Sequence, residues 1–348
     1  MVFAKTLTDW YLNNKRDLPW RKSADPYRVW LSEIMLQHTR IAQGLPYYLK
    51  FVSAFPTVFD LAKSSEENVL KLWQGLGYYS RARNLHTTAK YVAFELNGIF
   101  PLNYNDLLKL KGVGDYTASA IASICYNEPV AVVDGNVYRV LARFFDIGTP
   151  VNSTAGIKEF KELAMQLLEE EDPGTYNQAI MEFGALQCTP QLPLCGSCPL
   201  STACLALKYN KVNMLPVKLK KAKVTKRYFN YLVFKSVENT TILEQRVGRG
   251  IWEGLYQFPL IETIELLSPS EFVKHPEFLD LVDIRKNPVT LYNESPVIHK
   301  LSHQHIYTRF WIIEKAGLSQ NNVAVDQIQD YPVPVLIANF LNEYDFGH

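Results

Sequence analysis

The sequence is poor in cysteine, has no long apolar run and carries no excess of charge of either sign. Five cysteines in 348 residues are too few for a disulfide scaffold, and four of them crowd between positions 188 and 204, a grouping that reads as a metal site. No stretch approaches the ~18 consecutive apolar residues of a membrane span, and Met1 to Leu18 carries charges where a signal peptide needs an apolar core, so a cytoplasmic protein is expected. Lys plus Arg number 36 against 35 for Asp plus Glu, so any argument for an acidic or basic partner must come from local clustering. Internal repeats and low-complexity tracts are absent. What remains is ordinary globular composition, 47% hydrophobic and 13% aromatic, in a chain long enough for two domains at roughly 150 residues each.

The periodicity predicts a helical first half, residues 1–207. Asp25 then Pro26 make an N-cap and first helical position, and Tyr27, Trp30, Leu31 and Ile34 fall on one face. Ser65 and Ser80 open two further helices, with Gly75 or Gly77 ending the first and Gly98 following the second. Others are expected at 106–110, 116–125, 136–145, 156–170 and 176–186. Residues 208–227 gather lysines and arginines with no acidic residue among them and read as a basic linker. Beyond it, 228–234, 241–247, 284–292 and 306–314 are rich in β-branched and aromatic residues, predicting a β-rich domain over 228–348 with a closing helix at 332–344.

Three features carry chemistry. Cys188, Cys195, Cys198 and Cys204 form C-x6-C-x2-C-x5-C. Four thiolates hold either a tetrahedral zinc or a [4Fe–4S] cluster, and the staggered spacing, with one close pair instead of two knuckles, favours the cluster. The segment Leu107 to Gly114 joins two helical stretches through Gly112-Val113-Gly114, where exposed N–H groups ahead of a helix can bind a phosphate oxygen, although a tight helix connection alone also explains the glycines. Asp134 ends an apolar run at a helix start, where the positive helix end favours its anion; Glu33 lies among Trp30, Ile34, Met35 and Leu36, where desolvation raises its pKa. Two carboxylates pushed in opposite directions suit an acid and a cation stabiliser, although a capping residue and a residue at the stripe's edge are the plain alternatives.

On Leu18-Pro-Trp-Arg21, Trp30-Leu-Ser-Glu-Ile-Met-Leu-Gln37, Gln74-Gly-Leu-Gly-Tyr-Tyr-Ser-Arg81, Gly112-Val-Gly-Asp-Tyr-Thr117, Val133-Asp-Gly-Asn136 and the ordered cysteines, the sequence resembles the MutY adenine DNA glycosylases of the helix-hairpin-helix superfamily, relatives of endonuclease III. The resemblance runs along nearly the whole chain. It implies a multidomain α and α/β protein: an all-α glycosylase half with an iron–sulfur loop, then a Nudix-like domain. It implies removal of adenine mispaired with 8-oxoguanine or guanine in double-stranded DNA, during base excision repair, by a monomer of the bacterial cytoplasm or nucleoid with no membrane partner.

The resemblance makes Glu33 the acid that protonates adenine and Asp134 the carboxylate that stabilises the sugar cation, with Tyr116 and Asn136 supporting them. Arg16, Trp20, Arg21, Leu36 and Gln178 match the adenine pocket, and His38, Thr39, Leu76 and Tyr78 match substrate-binding positions. Ser302 and His303 match a Phe-Ser-His loop suited to the oxidised base, and Gly112, Val113 and Gly114 match the backbone clamp. Bifunctional relatives carry a lysine nucleophile where Tyr116 stands, so a monofunctional enzyme using water is expected. The β-rich half has Gly250 to Pro259 in common with the family but lacks an acidic Nudix box, so it is expected to bind and not to hydrolyse. Leu301, Lys111 and His38 depart from the usual Phe, Pro and Gln. His38 either stacks at the lesion strand, with binding that varies near its pKa, or is a tolerated substitution.

Overall fold

A computed structural model describes residues 2–220, 224–318 and 322–347. The chain divides into two compact units, one formed by Met1–Lys63 with Asn84–Lys220, the other by Ser64–Arg83 with Lys221–His348. Lys221 and Lys223 of the basic run lie outside the described residues.

The first unit is helical. Asp25 accepts a hydrogen bond from the Tyr27 N–H and Pro26 opens the helix Pro26–Leu36, whose apolar side chains Tyr27, Val29, Trp30, Leu31, Ile34 and Met35 are buried. The amino-terminal helix Val2–Asn14 buries Phe3, Leu7 and Tyr11 in a core shared with Val137, Val140 and Leu141 of the helix Gly135–Phe145, Phe160 of Thr154–Leu167, and Tyr176, Ile180 and Phe183 of Pro173–Leu186. Each such side chain contributes roughly 1.5–3 kcal/mol by leaving water. Two helices start earlier than their periodicity predicts because Ser153 and Asp172 cap them on the Gly156 and Thr175 N–H groups. The helix expected at 106–110 is a single turn, Tyr104–Leu107, because Asn103 caps it on Asp106.

Leu107, Leu110 and Val113 are buried beneath a turn that leads into the helix Asp115–Tyr126. Gly112 has φ +80, and a Cβ there would stand 2.8 Å from the Asn84 Cβ, so conformation and space both require glycine.

The second unit centres on a five-stranded sheet. Thr225–Ser236 and Gln304–Lys315 run parallel over their whole length, Leu260–Thr263 borders the first of them, and Val289–Leu291 and Val297–Lys300 pair antiparallel with the second. One face buries Leu232, Phe234, Trp311 and Ile313 against Phe272 and Phe278. The apolar run at 284–292 forms strand only at Val289–Leu291, since a turn and Pro288 precede it; that at 241–247 breaks at Leu243 into Thr240–Ile242 and Glu244–Gln245, each with a different partner. Tyr256–Gln257, Leu260–Thr263, Val297–Lys300 and Asn322–Ala324 are strands too short to announce themselves by alternation. The closing helix is Val335–Glu343. No helix among the described residues is long and apolar enough to cross a membrane.

Candidate active site

A cavity of about 670 Å³ opens in the helical unit. Arg16, Trp20, Arg21, Glu33, Leu36, Thr39, Tyr116, Asp134, Asn136 and Gln178 all line it, although they come from five separate stretches of chain. His38 does not line it; it is exposed beside Leu36 and Thr39 with φ +58, a conformation that costs a non-glycine residue strain unless its surroundings impose it.

Glu33 is only 8% exposed, although it sits on a helix otherwise buried by apolar side chains. Burial, aided by the charge of Asp134, raises its carboxyl while Tyr116 and the nearby Arg21 oppose the shift, and the balance stands at about 7. Arg21 is fixed elsewhere, since Glu182 accepts from the Arg16 backbone N–H (3.0 Å), twice from the Arg16 guanidinium (2.8 and 2.6 Å) and twice from that of Arg21 (3.1 and 2.9 Å). Burial would raise the Glu182 carboxyl, but these arginines hold it near 2. Trp20 packs edge-on against Tyr48 at 5.0 Å between ring centroids, and Gln178 accepts from the Tyr11 hydroxyl at 3.0 Å.

Asp134 caps the helix Gly135–Phe145. One carboxylate oxygen accepts from the Asn136 and Val137 N–H groups, both at 2.8 Å, and the other accepts from the Asn136 side-chain amide at 2.7 Å. Burial pushes its pKa up against these bonds and the nearby Arg139, so its shift runs upward like that of Glu33. The expectation of opposite shifts therefore needs correction. Desolvation acts on both groups, and the difference lies in their partners: three hydrogen bonds stabilise the charged form of Asp134, against the Tyr116 hydroxyl at Glu33.

Glu182 and Arg139 were not singled out from the sequence. Glu182 follows Gln178 by one helical turn, a spacing that places both on one face, and Arg139 follows Asn136 by three residues in the same way. Arg139 donates to the Asn136 side-chain oxygen (2.8 Å) and to the carbonyls of Gly184 (2.6 Å) and Cys188 (2.7 Å).

Cys188, Cys195, Cys198 and Cys204 surround one small void of about 30 Å³. Arg143 donates to the Cys188 sulfur at 3.4 Å and to the Thr189 carbonyl at 2.7 Å, while backbone N–H groups of Leu200, Ala206 and Leu207 approach the Cys198 and Cys204 sulfurs. Donors aimed at sulfur suit an anionic metal–thiolate group. Among the described residues no group of three or more His, Cys, Asp or Glu is drawn together around a single metal ion. Cys125 is partly buried in its helix, apart from this set.

Leu76, Tyr78, Ser302 and His303 belong to the second unit and line a cavity of about 550 Å³ there. Tyr78 is 48% exposed with φ +50, and its hydroxyl hydrogen-bonds that of Ser302.

Residues 31–167 match the profile of the HhH-GPD superfamily base excision DNA repair proteins, and residues 230–343 match that of the NUDIX domain. The adenine DNA glycosylase of Buchnera aphidicola subsp. Baizongia pistaciae is 36% identical over 335 residues, covering 92% of this chain and 89% of the relative. The human adenine DNA glycosylase is 47% identical over 214 residues, 59% of this chain and 39% of that one. Among solved structures, a thermostable thymine-DNA glycosylase superposes with a TM-score of 0.55 at 31% identity, covering 60% of this chain and 96% of its own. With carboxylates, pocket and both domain profiles in agreement, the chain belongs to the adenine DNA glycosylase family of helix-hairpin-helix base excision repair enzymes.

Proposed function

We propose that the protein hydrolyses the N-glycosidic bond of adenine mispaired with 8-oxoguanine or guanine in duplex DNA, as a monofunctional, monomeric glycosylase of the bacterial cytoplasm or nucleoid. The observation that carries this reading is the meeting of Glu33 and Asp134 on one cavity, the first with its carboxyl raised to about 7. A base must leave the stack before this bond can be reached, at a cost of a few kcal/mol, and a cavity of this volume accepts a purine.

Glu33 is protonated in a substantial fraction near neutral pH and donates to a ring nitrogen of the extruded adenine. The electron pair of the glycosidic bond leaves with the base. The sugar cation then faces the Asp134 carboxylate, which its helix cap holds in place, and water adds to the anomeric carbon while its proton passes to Glu33. Tyr116 orients Glu33 and Asn136 orients Asp134; Arg16, Trp20, Arg21, Leu36, Thr39 and Gln178 wall the base pocket. Tyr116 supplies no amine, so no Schiff base forms.

The backbone at Gly112, Val113 and Gly114 holds a phosphate, and His38, Leu76, Tyr78, Ser302 and His303 serve the opposite strand, with Ser302 and His303 meeting the oxidised base. Cys188, Cys195, Cys198 and Cys204 would hold a [4Fe–4S] cluster, whose part here is to fix the loop; their staggered spacing and their common place round one void support this reading.

The test is incubation with a duplex containing adenine opposite 8-oxoguanine, then alkali to reveal abasic sites. Strand breaks appearing only after alkali are expected, and none with Glu33→Gln or Asp134→Asn. Base release undiminished in both variants would remove the enzymatic reading. Covalent trapping by borohydride at the level of a lysine-dependent lyase would remove the monofunctional one.

A further inference from the structure

The helix Asp115–Tyr126 starts at Gly114 with no side-chain cap, and its first backbone bond runs from the Ala118 N–H to the Gly114 carbonyl at 2.9 Å. The N–H groups of Asp115, Tyr116 and Thr117 therefore lack partners within the helix, which is what a phosphate needs. Yet the first residue of this helix is an aspartate. An anion at that position is drawn to the same N–H groups and repels a phosphate.

In this protein the carboxylate is held elsewhere. Lys161, on the helix Thr154–Leu167, grips both Asp115 oxygens at 2.9 and 3.2 Å, and the Tyr104 hydroxyl donates to one of them at 2.7 Å. The Lys161 ammonium is itself fixed by the Ser119 hydroxyl (3.2 Å) and the Ala131 carbonyl (2.7 Å), and its side chain is only 26% exposed. It is not an arm reaching outward for DNA. We infer that Lys161 is a positioning residue for DNA binding: with Tyr104 it draws the Asp115 carboxylate off the helix start and neutralises it, so that the Gly112 to Gly114 turn can take a backbone phosphate.

This rests on the phosphate-clamp reading of that turn, and the test separates the two. Duplex affinity is measured by anisotropy with the full chain at several salt concentrations. Lys161→Met is expected to weaken binding roughly tenfold, the scale of one lost charge-assisted contact. Asp115→Asn alone is expected to bind at least as well as the native protein, and Asp115→Asn with Lys161→Met to return to native affinity. A purely structural or direct phosphate role for Lys161 leaves that double variant as weak as Lys161→Met, and this outcome overturns the inference. If Lys161→Met lowers the melting temperature too far for binding to be read, Lys161→Gln gives the same comparison. A Cβ at Gly114 meets open space, so Gly114→Asp caps the helix with its own side chain and is expected to weaken binding. Unchanged affinity in Gly114→Asp removes the clamp reading itself; weakening there without weakening in Lys161→Met removes only the inference about Lys161.

Discussion

The Tyr116 hydroxyl, on the helix Asp115–Tyr126, lies 3.5 Å from the Met181 sulfur and stands against the Glu33 carboxyl on the helix Pro26–Leu36, where it opposes the upward shift of the proposed acid. Tyr116 stabilises the charged form against the burial that raises the carboxyl, and the balance stands at about 7. The acid must be protonated to act, so the single-turnover rate of adenine release is expected to fall as pH rises through about 7. Tyr116→Phe removes the opposing hydroxyl and is expected to move this limb to higher pH. A limb that stays in place in Tyr116→Phe would separate the rate's titration from Glu33.

The same shift has a sign in stability. The folded-state pKa of Glu33 lies above its ordinary value of 4.5, so the fold favours the protonated acid. The favourable contribution is complete below about 4.5 and is lost as pH rises through about 7. Glu33→Gln, always neutral, is expected to be more stable than the native protein at pH 8, by up to about 3 kcal/mol, with the difference vanishing near pH 4. Urea unfolding at the two pH values measures it. Equal stability at pH 8 would place Glu33 in a better-solvated setting than its 8% exposure indicates.

Glu182 behaves in the opposite sense. Arg16 and Arg21 hold its carboxyl near 2, so its stabilising contribution is present above the ordinary carboxylate range and is lost as pH falls toward about 2. Removing the charge leaves two guanidinium groups facing each other beside a buried position. Glu182→Gln is expected to cost about 3 kcal/mol at pH 7 and to lower the rate of base release, because Arg21 also acts on Glu33. Denaturant melts with single-turnover rates decide both parts; an unaltered rate would confine Glu182 to folding.

Local signals were legible in the sequence and distant ones were not. Asp25 and Pro26, Ser65 and Ser80 stand where the helix starts place them, since a cap acts within one turn. Glu33, from within the helix Pro26–Leu36, and Asp134, from the start of the helix Gly135–Phe145, line one cavity together with their motif neighbours. Glu182 stayed hidden because its arginine partners lie more than 160 residues away. For the same reason nothing local shows that Ser64–Arg83 groups with the carboxy-terminal unit. That grouping rests on Lys71 donating to the Tyr331 carbonyl at 3.1 Å, Gln74 accepting from the Val333 N–H at 3.2 Å, and Arg83 pairing with Glu253 at 3.0 Å.

The Tyr78 hydroxyl and the Ser302 hydroxyl meet on the cavity of the second unit. If these groups read the opposite base, their loss should change discrimination more than catalysis. Tyr78→Phe with Ser302→Ala is expected to narrow the rate preference for 8-oxoguanine over guanine several-fold, while adenine release opposite guanine changes less than twofold, as for loss of one hydrogen-bonding contact. Equal losses on both duplexes would instead make the pair a support for its loop.

Asp134 is held by Asn136, and Asn136 is held by the packing of a glycine. A Cβ on Gly184 would stand 2.6 Å from the Asn136 Cβ and 2.9 Å from its carbonyl oxygen, closer than real Cβ atoms come, and the obstacle includes backbone that cannot swing away. The Gly184 carbonyl also accepts from Arg139 at 2.6 Å, so the helix cannot retreat without breaking that bond. Gly184→Ala must therefore push the start of the helix Gly135–Phe145, and Asp134 with it. A cost of roughly 1–3 kcal/mol in stability is expected, with a loss of kcat of at least tenfold, since displacements well under 1 Å matter at a reacting centre. Gly148→Ala, where a Cβ meets nothing within 4 Å, serves as the comparison and is expected to leave both unchanged. A fall in melting temperature without a fall in kcat would mean that Asp134 keeps its place by the Val137 N–H and its own helix alone, independently of the Asn136 contact.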